Sequence, residues 1–264
     1  MLNLSLQSPV KAASVLASAN YRSNLSGLPA ETQNYSAYLD GASDRIQGLS
    51  LATTWLKVVD ANAAFTIHFA VKLDALNSTI SLTGTSTTYV SLVVDSGGDL
   101  QFSATNSGVT KGLEKWDTNL STGTWYDIVI TGTGASTRDL KCYVNKVEKT
   151  ATTATPWDGT YDVAAQSGKF TFGTFLNIVD YDLRVDRLAS WSSVLTSDEI
   201  TEIYDNYPDL TADSGNYVSS SDLVTYYKIE EGSGTTMSDS SGNSNGDLSV
   251  VNATGNFWSS DTRI

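Results

Sequence analysis

The chain is poor in the residues that several common kinds of site require. It has one cysteine, Cys142, and one histidine, His68, among its 264 residues. A single cysteine excludes an internal disulfide framework, and a single histidine argues against a histidine-rich metal site or a Ser-His-Asp triad. No apolar stretch approaches the roughly eighteen residues of a transmembrane helix. The first ten residues also lack the basic and continuous apolar regions of a secretory signal.

Basic residues are scarce as well. The chain has 16 Lys and Arg against 29 Asp and Glu, which gives a formal net charge of -13. A surface this negative repels phosphate backbones, so we expect no nucleic-acid partner. Because the chain also lacks a transmembrane stretch, we expect no membrane partner.

Hydroxyl-bearing and aromatic residues are abundant. Ser and Thr occupy 35 and 32 positions, and there are 6 Trp, 13 Tyr and 7 Phe. Thr suits exposed strand faces and Ser suits turns, while the aromatic residues can fill a sizeable core. The composition therefore predicts an ordered, β-rich domain.

Short stretches of period-two hydrophobicity recur along the chain, separated by turn signals about every ten residues. The clearest cover 65–71, 89–95, 100–102, 125–130, 140–144, 147–150, 170–172, 183–189 and 223–229. This spacing predicts an all-β fold, a two-sheet antiparallel β-sandwich or jelly roll.

One short helix is expected near residue 200. Thr196 and Glu199 have the spacing of a capping box, Ile200 and Ile203 begin an apolar stripe, and Pro208 ends it.

Residues 1–34 differ in composition from the rest of the chain and are predicted to form an N-terminal arm. Pro9 to Asn34 is rich in Ala, Ser and Asn. Such an arm could pack on its own domain or dock onto a neighbouring subunit, and the sequence leaves both open.

Three stretches resemble the laminin-G-like, concanavalin A-like jelly-roll family. Residues 38–46 (YLDGASDRI) look like its "F-D-G-x-x-D" strand and turn, and residues 186–200 are similar to its late strand and short helix. Residues 224–246 look like its opening strand and "D-x-S-G-N-x-N" loop. The resemblance implies structural roles for a set of motif positions: Asp40, Gly41, Asp44, Glu199, Gly232 and Gly234.

The order of these motifs departs from the family, because the counterpart of the opening strand comes last. A truncated second copy is one explanation, but a fragment of that size could not bury its apolar face. We favour a circularly permuted jelly-roll domain, residues 35–264, closed by the C-terminal segment 223–258.

The loop from Asp239 to Asp247 has two interpretations. Asp239, Asn243, Asn245 and Asp247 bear the oxygen ligands that Ca²⁺ prefers, and the resemblance implies a structural Ca²⁺ in some family members. The alternative is an Asx-rich turn whose side chains bond their own backbone.

No catalytic residue is expected. Asp180, Asp182 and Asp186 lack the acidic spacing of the glucanase members of this fold class and are interpreted as solvated charges on an edge strand. His68 has no evident acidic partner in the sequence and is expected at the surface.

Trp116 and Trp157 lie in loop-like contexts. Their rings could stack on a sugar, or they could simply cover the ends of the sandwich. They are the candidate glycan-binding residues.

Two functions are compatible with these features. The first is a non-enzymatic virion structural protein, a bacteriophage capsid decoration or surface protein whose arm binds other virion proteins in homo-oligomeric or lattice-bound copies. The resemblance to add-on modules of phage surface proteins implies this role and a location in the virion. The alternative is a carbohydrate-binding adhesion module that binds a cell-surface glycan.

Overall fold

Strands dominate the part of the chain that the computed structural model describes, which is residues 33–40, 44–48, 63–76, 78–84, 89–133, 139–155, 169–173, 182–251 and 257–264. In chain order the strands are β1 (Ser36–Asp40), β2 (Arg45–Gly48), β3 (Phe65–Leu73), β4 (Ser78–Gly84), β5 (Tyr89–Val94), β6 (Leu100–Asn106), β7 (Val109–Trp116), β8 (Trp125–Gly132), β9 (Leu140–Val144), β10 (Val147–Lys149), β11 (Ala151–Thr155), β12 (Lys169–Gly173), β13 (Asp182–Trp191), β14 (Leu223–Tyr227), β15 (Thr236–Met237), β16 (Leu248–Val251) and β17 (Trp258–Ser259). Within these ranges there is one α-helix, α1 (Ser197–Asn206).

The strands form two antiparallel sheets. Sheet A has the order β10-β9-β8-β3-β13-β1-β17, with β14 pairing with β13 beside β1. Sheet B has the order β11-β7-β6-β5-β4-β12-β2-β16-β15. The prediction of an all-β, two-sheet antiparallel sandwich with one short helix is confirmed for the described residues.

The main core lies between the sheets and is built from their facing aromatic and aliphatic side chains. Phe65 of sheet A lies 6.4 Å from Phe102 of sheet B, between ring centroids, and Phe69 lies 6.1 Å from Phe172. All four rings are fully buried. Aromatic pairs at such separations contribute beyond the area they bury, so these contacts join the two sheets.

The C-terminal segment contributes strands to both sheets. In sheet A, β14 pairs with β13 and β17 pairs with β1, with Ala37 opposite Trp258. In sheet B, β16 pairs with β2, with Val250 opposite Ile46. These pairings place β14, β16 and β17 in the same two-sheet body as β1 and β2, whereas a separate second copy would not pair with these strands.

Helix α1 covers the outer face of sheet A. The Thr196 hydroxyl accepts a hydrogen bond from the Glu199 amide, and the Glu199 carboxylate accepts one from the Thr196 amide, as the capping box predicts. The helix buries Ile200 and Ile203 against Trp191 in a second apolar cluster. Strand β3, between β8 and β13, is consequently buried on both faces except at Lys72.

Two strand predictions need correction because of this cover. Asp186 lies on β13, an interior strand of sheet A, and is fully buried instead of standing as a solvated edge charge. His68, expected at the surface, is also fully buried. Alternation along one strand cannot reveal that a helix covers its outer face.

The longest helix in the described ranges has ten residues, so none of the helices there is long and apolar enough to cross a bilayer.

Candidate functional site

A cleft opens at the edge of the sandwich where the chain crosses from sheet A to sheet B. Strand β10 ends sheet A and β11 ends sheet B, with Thr150 alone between them. The cleft, which we call the edge cleft, has a volume of about 470 Å³. Its main lining residues are Glu114, Trp116, Asp139, Lys141, Glu148 and Lys149.

The inner wall of the edge cleft carries one carboxylate and one ammonium group. Glu114 lies two residues before Trp116 on β7, so both side chains point to the same face. Lys149 stands opposite Cys142 in the β9–β10 pair. Glu114 and Lys149 are half-buried, and neither side chain makes a hydrogen bond or ion pair with another described residue. Both groups are therefore available to a ligand.

The rim charges, in contrast, are partly satisfied. Lys141 Nζ lies 3.4 Å from Glu148 Oε1, and the Tyr143 hydroxyl donates to Glu148 Oε2 at 3.2 Å. Burial raises the pKa of Glu114, and the nearby negative charge of Asp139 raises it further. Burial and a neighbouring negative charge thus both disfavour the ionised form of Glu114.

Trp116 closes the floor of this cleft. Its side chain belongs to the main core, and the residue is only 1% exposed. A ring covered to this extent cannot offer its face to a sugar, which corrects the prediction of Trp116 as an open stacking platform. Trp157, the second predicted platform, lies outside the described residues.

The Asp239–Asp247 loop uses its side chains to hold its own backbone. Asp239 Oδ1 accepts hydrogen bonds from the amides of Tyr226 and Ser241, both at 3.0 Å, and Oδ2 accepts from the Asn245 amide at 3.2 Å. Asp247 Oδ1 accepts from the Asp239 amide at 3.1 Å.

The two asparagines of the loop tie it to the beginning of β14. Asn243 Nδ2 donates to the Leu223 carbonyl at 2.6 Å, and Asn245 Nδ2 donates to the Val224 carbonyl at 2.5 Å. The hydrogen bonds of the loop therefore fit the Asx-turn alternative. Among the described residues, no group of three or more His, Cys, Asp or Glu is placed to hold a metal ion.

Five of the six motif positions named from the sequence lie within the described residues. Asp44 is buried and Asp40 is exposed at the end of β1. Gly232 has φ +64° and lies against the Tyr35 ring, which leaves no room for a Cβ. The Gly234 carbonyl accepts from the Trp258 indole at 3.0 Å.

Glu199 does more than cap α1, because its Oε1 also accepts from the Ser219 hydroxyl and the Val218 amide. Gly41 lies outside the described residues.

A buried polar network lies under α1 on the outer face of sheet A. His68 Nε2 lies 2.8 Å from Asp127 Oδ1, and Arg263 Nε donates to Asp127 Oδ2 at 2.5 Å. The Arg263 amide donates to Asp186 Oδ2 at 2.8 Å, and the Tyr207 hydroxyl to Asp186 Oδ1 at 3.3 Å. His68 thus has an acidic partner, contrary to expectation, but with no exposed surface it cannot touch a substrate.

Neither the edge cleft nor the role of Arg263 was predictable from sequence patterns. Glu114 and Lys149 are 35 residues apart and come from different sheets, so only the fold brings them together. The one available signal was the charged stretch from Lys111 to Lys115, which leads into Trp116.

Comparison with known proteins identifies a family match. Residues 32–201 match the Laminin_G_3 model of the concanavalin A-like lectin/glucanases superfamily. The match ends before the C-terminal segment. A search of curated proteins gives no significant match.

Several solved structures are similar to this chain at low sequence identity. A Bacteroides ovatus protein, provisionally assigned as carbohydrate-binding, has a TM-score of 0.57 at 14% identity, over 83% of this chain and 58% of that one. Domain 4 of the Geobacillus stearothermophilus arabinanase AbnA, in complex with arabinotriose, has a TM-score of 0.48 at 20% identity, over 66% and 82%. The Ruminococcus gnavus sialidase CBM40, bound to sialyllactose, has a TM-score of 0.47 at 11% identity, over 66% and 98%.

Proposed function

Because this chain belongs to the concanavalin A-like lectin/glucanases superfamily, we propose that it is a non-catalytic carbohydrate-binding domain whose ligand occupies the edge cleft. One observation carries the assignment to this cleft: Glu114 and Lys149 line it without an ion-pair partner among the described residues. A carboxylate and an ammonium group offer a sugar an acceptor and donors for its hydroxyls.

The dimensions of the cleft support this proposal. A volume of about 470 Å³ lies within the usual range for small-ligand pockets. The similarity in fold to the Bacteroides ovatus protein agrees with a carbohydrate ligand.

A glycan array probed with the full chain tests the proposal. We expect binding to a defined subset of glycans, and a loss of about tenfold or more in Glu114→Ala and Lys149→Met, because each variant removes a direct polar contact. Lys146→Met is the matched control, since Lys146 pairs with Asp205 outside the cleft. An array without any bound glycan would refute the proposal, and equal losses in all three variants would refute the cleft as the site.

A virion surface role stays a prediction alongside this one. The arm that would dock onto a particle lies almost entirely outside the described residues, which begin at Gln33. Gln33 Nε2 donates to the Lys228 carbonyl at 2.7 Å, so the point where the arm joins the domain is tied to the C-terminal segment.

Deleting residues 1–34 tests arm docking. If the arm docks, the truncated chain keeps its fold but is no longer incorporated into particles. Incorporation at the level of the intact chain would contradict this role for the arm.

A further inference from the structure

We propose that the edge cleft prefers sugars with a free amino group over their N-acetylated counterparts and over acidic sugars. This inference rests on the proposed function, because it names the class of carbohydrate that the same cleft accepts.

The charge balance of the cleft favours a cationic ligand. Three carboxylates and two ammonium groups line it. Lys141 and Glu148 largely neutralise one another at 3.4 Å, which leaves Glu114 and Asp139 against Lys149. An acidic sugar would be repelled by two carboxylates and attracted by one ammonium group. A cationic sugar would be attracted by the two carboxylates and repelled by the one ammonium group.

The position of Glu114 favours an ammonium group in particular. Its carboxylate is half-buried on the inner wall beside the core, and the charge of Asp139 lies close enough to disfavour its ionised form. A ligand ammonium group beside Glu114 would offset both the desolvation and the repulsion. A hydroxyl or an acetamide at the same place would supply a hydrogen bond but no charge.

Lys149 then favours a sugar as the ligand, because its ammonium group can donate hydrogen bonds to sugar hydroxyls. Lys149 carries the same charge as the ligand amine, so it suits a hydroxyl some distance from Glu114; the two side chains are not within ion-pair distance of each other. A simple polyamine has no hydroxyls for Lys149.

Titration calorimetry with matched oligosaccharides tests the preference. The probes are the tetramers of glucosamine, N-acetylglucosamine and galacturonic acid, at about 0.15 M salt to screen the overall charge of the protein and at a pH of about 6 to keep the amine protonated. We expect the glucosamine tetramer to bind about tenfold more tightly than the N-acetylated one, and the galacturonate tetramer to bind most weakly.

Two variants separate a specific contact from general attraction to an acidic protein. Glu114→Gln keeps an acceptor oxygen but loses the charge, so it should bind the glucosamine and N-acetylglucosamine tetramers equally. Glu202→Gln removes one negative charge on α1, outside the cleft, and should keep the tenfold preference. Equal loss of preference in both variants would overturn the inference.

The other outcomes distinguish this inference from the proposed function. Equal or tighter binding of the N-acetylated or acidic tetramer would overturn the preference and leave the proposed function standing. Spermidine displacing the glucosamine tetramer at equal concentration would show that the cleft recognises charge alone, which also overturns the inference. A flat glycan array together with no binding of any tetramer would overturn both proposals.

Discussion

His68 Nε2 and Asp127 Oδ1 lie 2.8 Å apart across the β3–β8 pair, and both side chains are buried. Burial lowers the pKa of His68, so the imidazole is neutral at pH 7 and donates its Nε2 hydrogen. Burial alone would raise the pKa of Asp127, but the hydrogen bond from His68, the charge that His68 carries when protonated, and the charge of Arg263 together lower it. Arg263 is therefore the cation that compensates the buried carboxylate.

Removing Arg263 should leave the charge of Asp127 buried beside a neutral histidine. We expect Arg263→Met to lower the free energy of unfolding by about 3 kcal/mol, measured by urea denaturation at pH 7. Adding Asp127→Asn should recover a substantial part of this loss, because the double variant has no uncompensated charge. A loss below about 0.5 kcal/mol in the single variant would contradict the compensating role of Arg263.

Asp186 should make the domain less stable as the pH rises toward neutrality. Burial raises its pKa to about 7, although the Arg263 amide and the charge of Arg187 oppose the shift and those of Asp127 and Glu230 add to it. The folded state thus holds a proton that the unfolded state loses near pH 4. The contribution of Asp186 is fully present below that pH and is lost as pH rises to about 7.

Comparing wild type with Asp186→Asn isolates this effect. The asparagine can accept from the Arg263 amide without titrating, so the variant should gain stability relative to wild type by a few kcal/mol between pH about 4 and 8. Urea denaturation at three pH values measures the difference. A difference independent of pH would show that Asp186 does not titrate in this range.

Local sequence rules predicted the parts of this fold that depend on neighbouring residues. The capping box at Thr196 and Glu199 formed as expected, and Asn145 and Lys146, both with positive φ, form the turn between two of the predicted strands. These features need only the hydrogen bonds and backbone geometry of a few adjacent residues.

Features that depend on distant packing were not predictable. The polar character of His68 indicated a surface position. The residue is instead covered by helix α1 and Arg263, which come more than 120 residues later in the chain. Strand β7 was missed because Lys111, Glu114 and Lys115 obscure its alternation, and the cleft was missed with it. Which charged side chains end up half-buried is decided by sheet pairing, which a single sequence does not reveal.

The Asp239–Asp247 loop should be independent of calcium. Its carboxylates already accept backbone amide hydrogen bonds, so we expect the same melting midpoint with and without a chelator, and with added Ca²⁺. Asp239→Ala should lower stability by about 2–3 kcal/mol, because three amides lose their acceptor. A midpoint that falls on chelation would show that the loop holds a stabilising ion.

Two glycines with similar backbone angles have very different surroundings. Gly98 has φ +85° in the hairpin between β5 and β6, and Gly108 has φ +78° in the hairpin between β6 and β7. A Cβ at Gly98 would overlap the backbone of Leu120, whereas nothing lies within 4 Å of one at Gly108. Gly108→Ala should therefore cost only the conformational term, about 1 kcal/mol.

Gly98→Ala should cost clearly more, about 3 kcal/mol, because the Leu120 segment must also move. That segment is held by the hydrogen bond from the Leu120 amide to the Gly98 carbonyl at 2.8 Å, and by the Thr118 hydroxyl donating to the same carbonyl at 2.7 Å. Thermal or urea denaturation of both variants measures the difference. Equal losses would mean that the Leu120 backbone yields without cost, and that the hairpin requires glycine at this position for its positive φ alone.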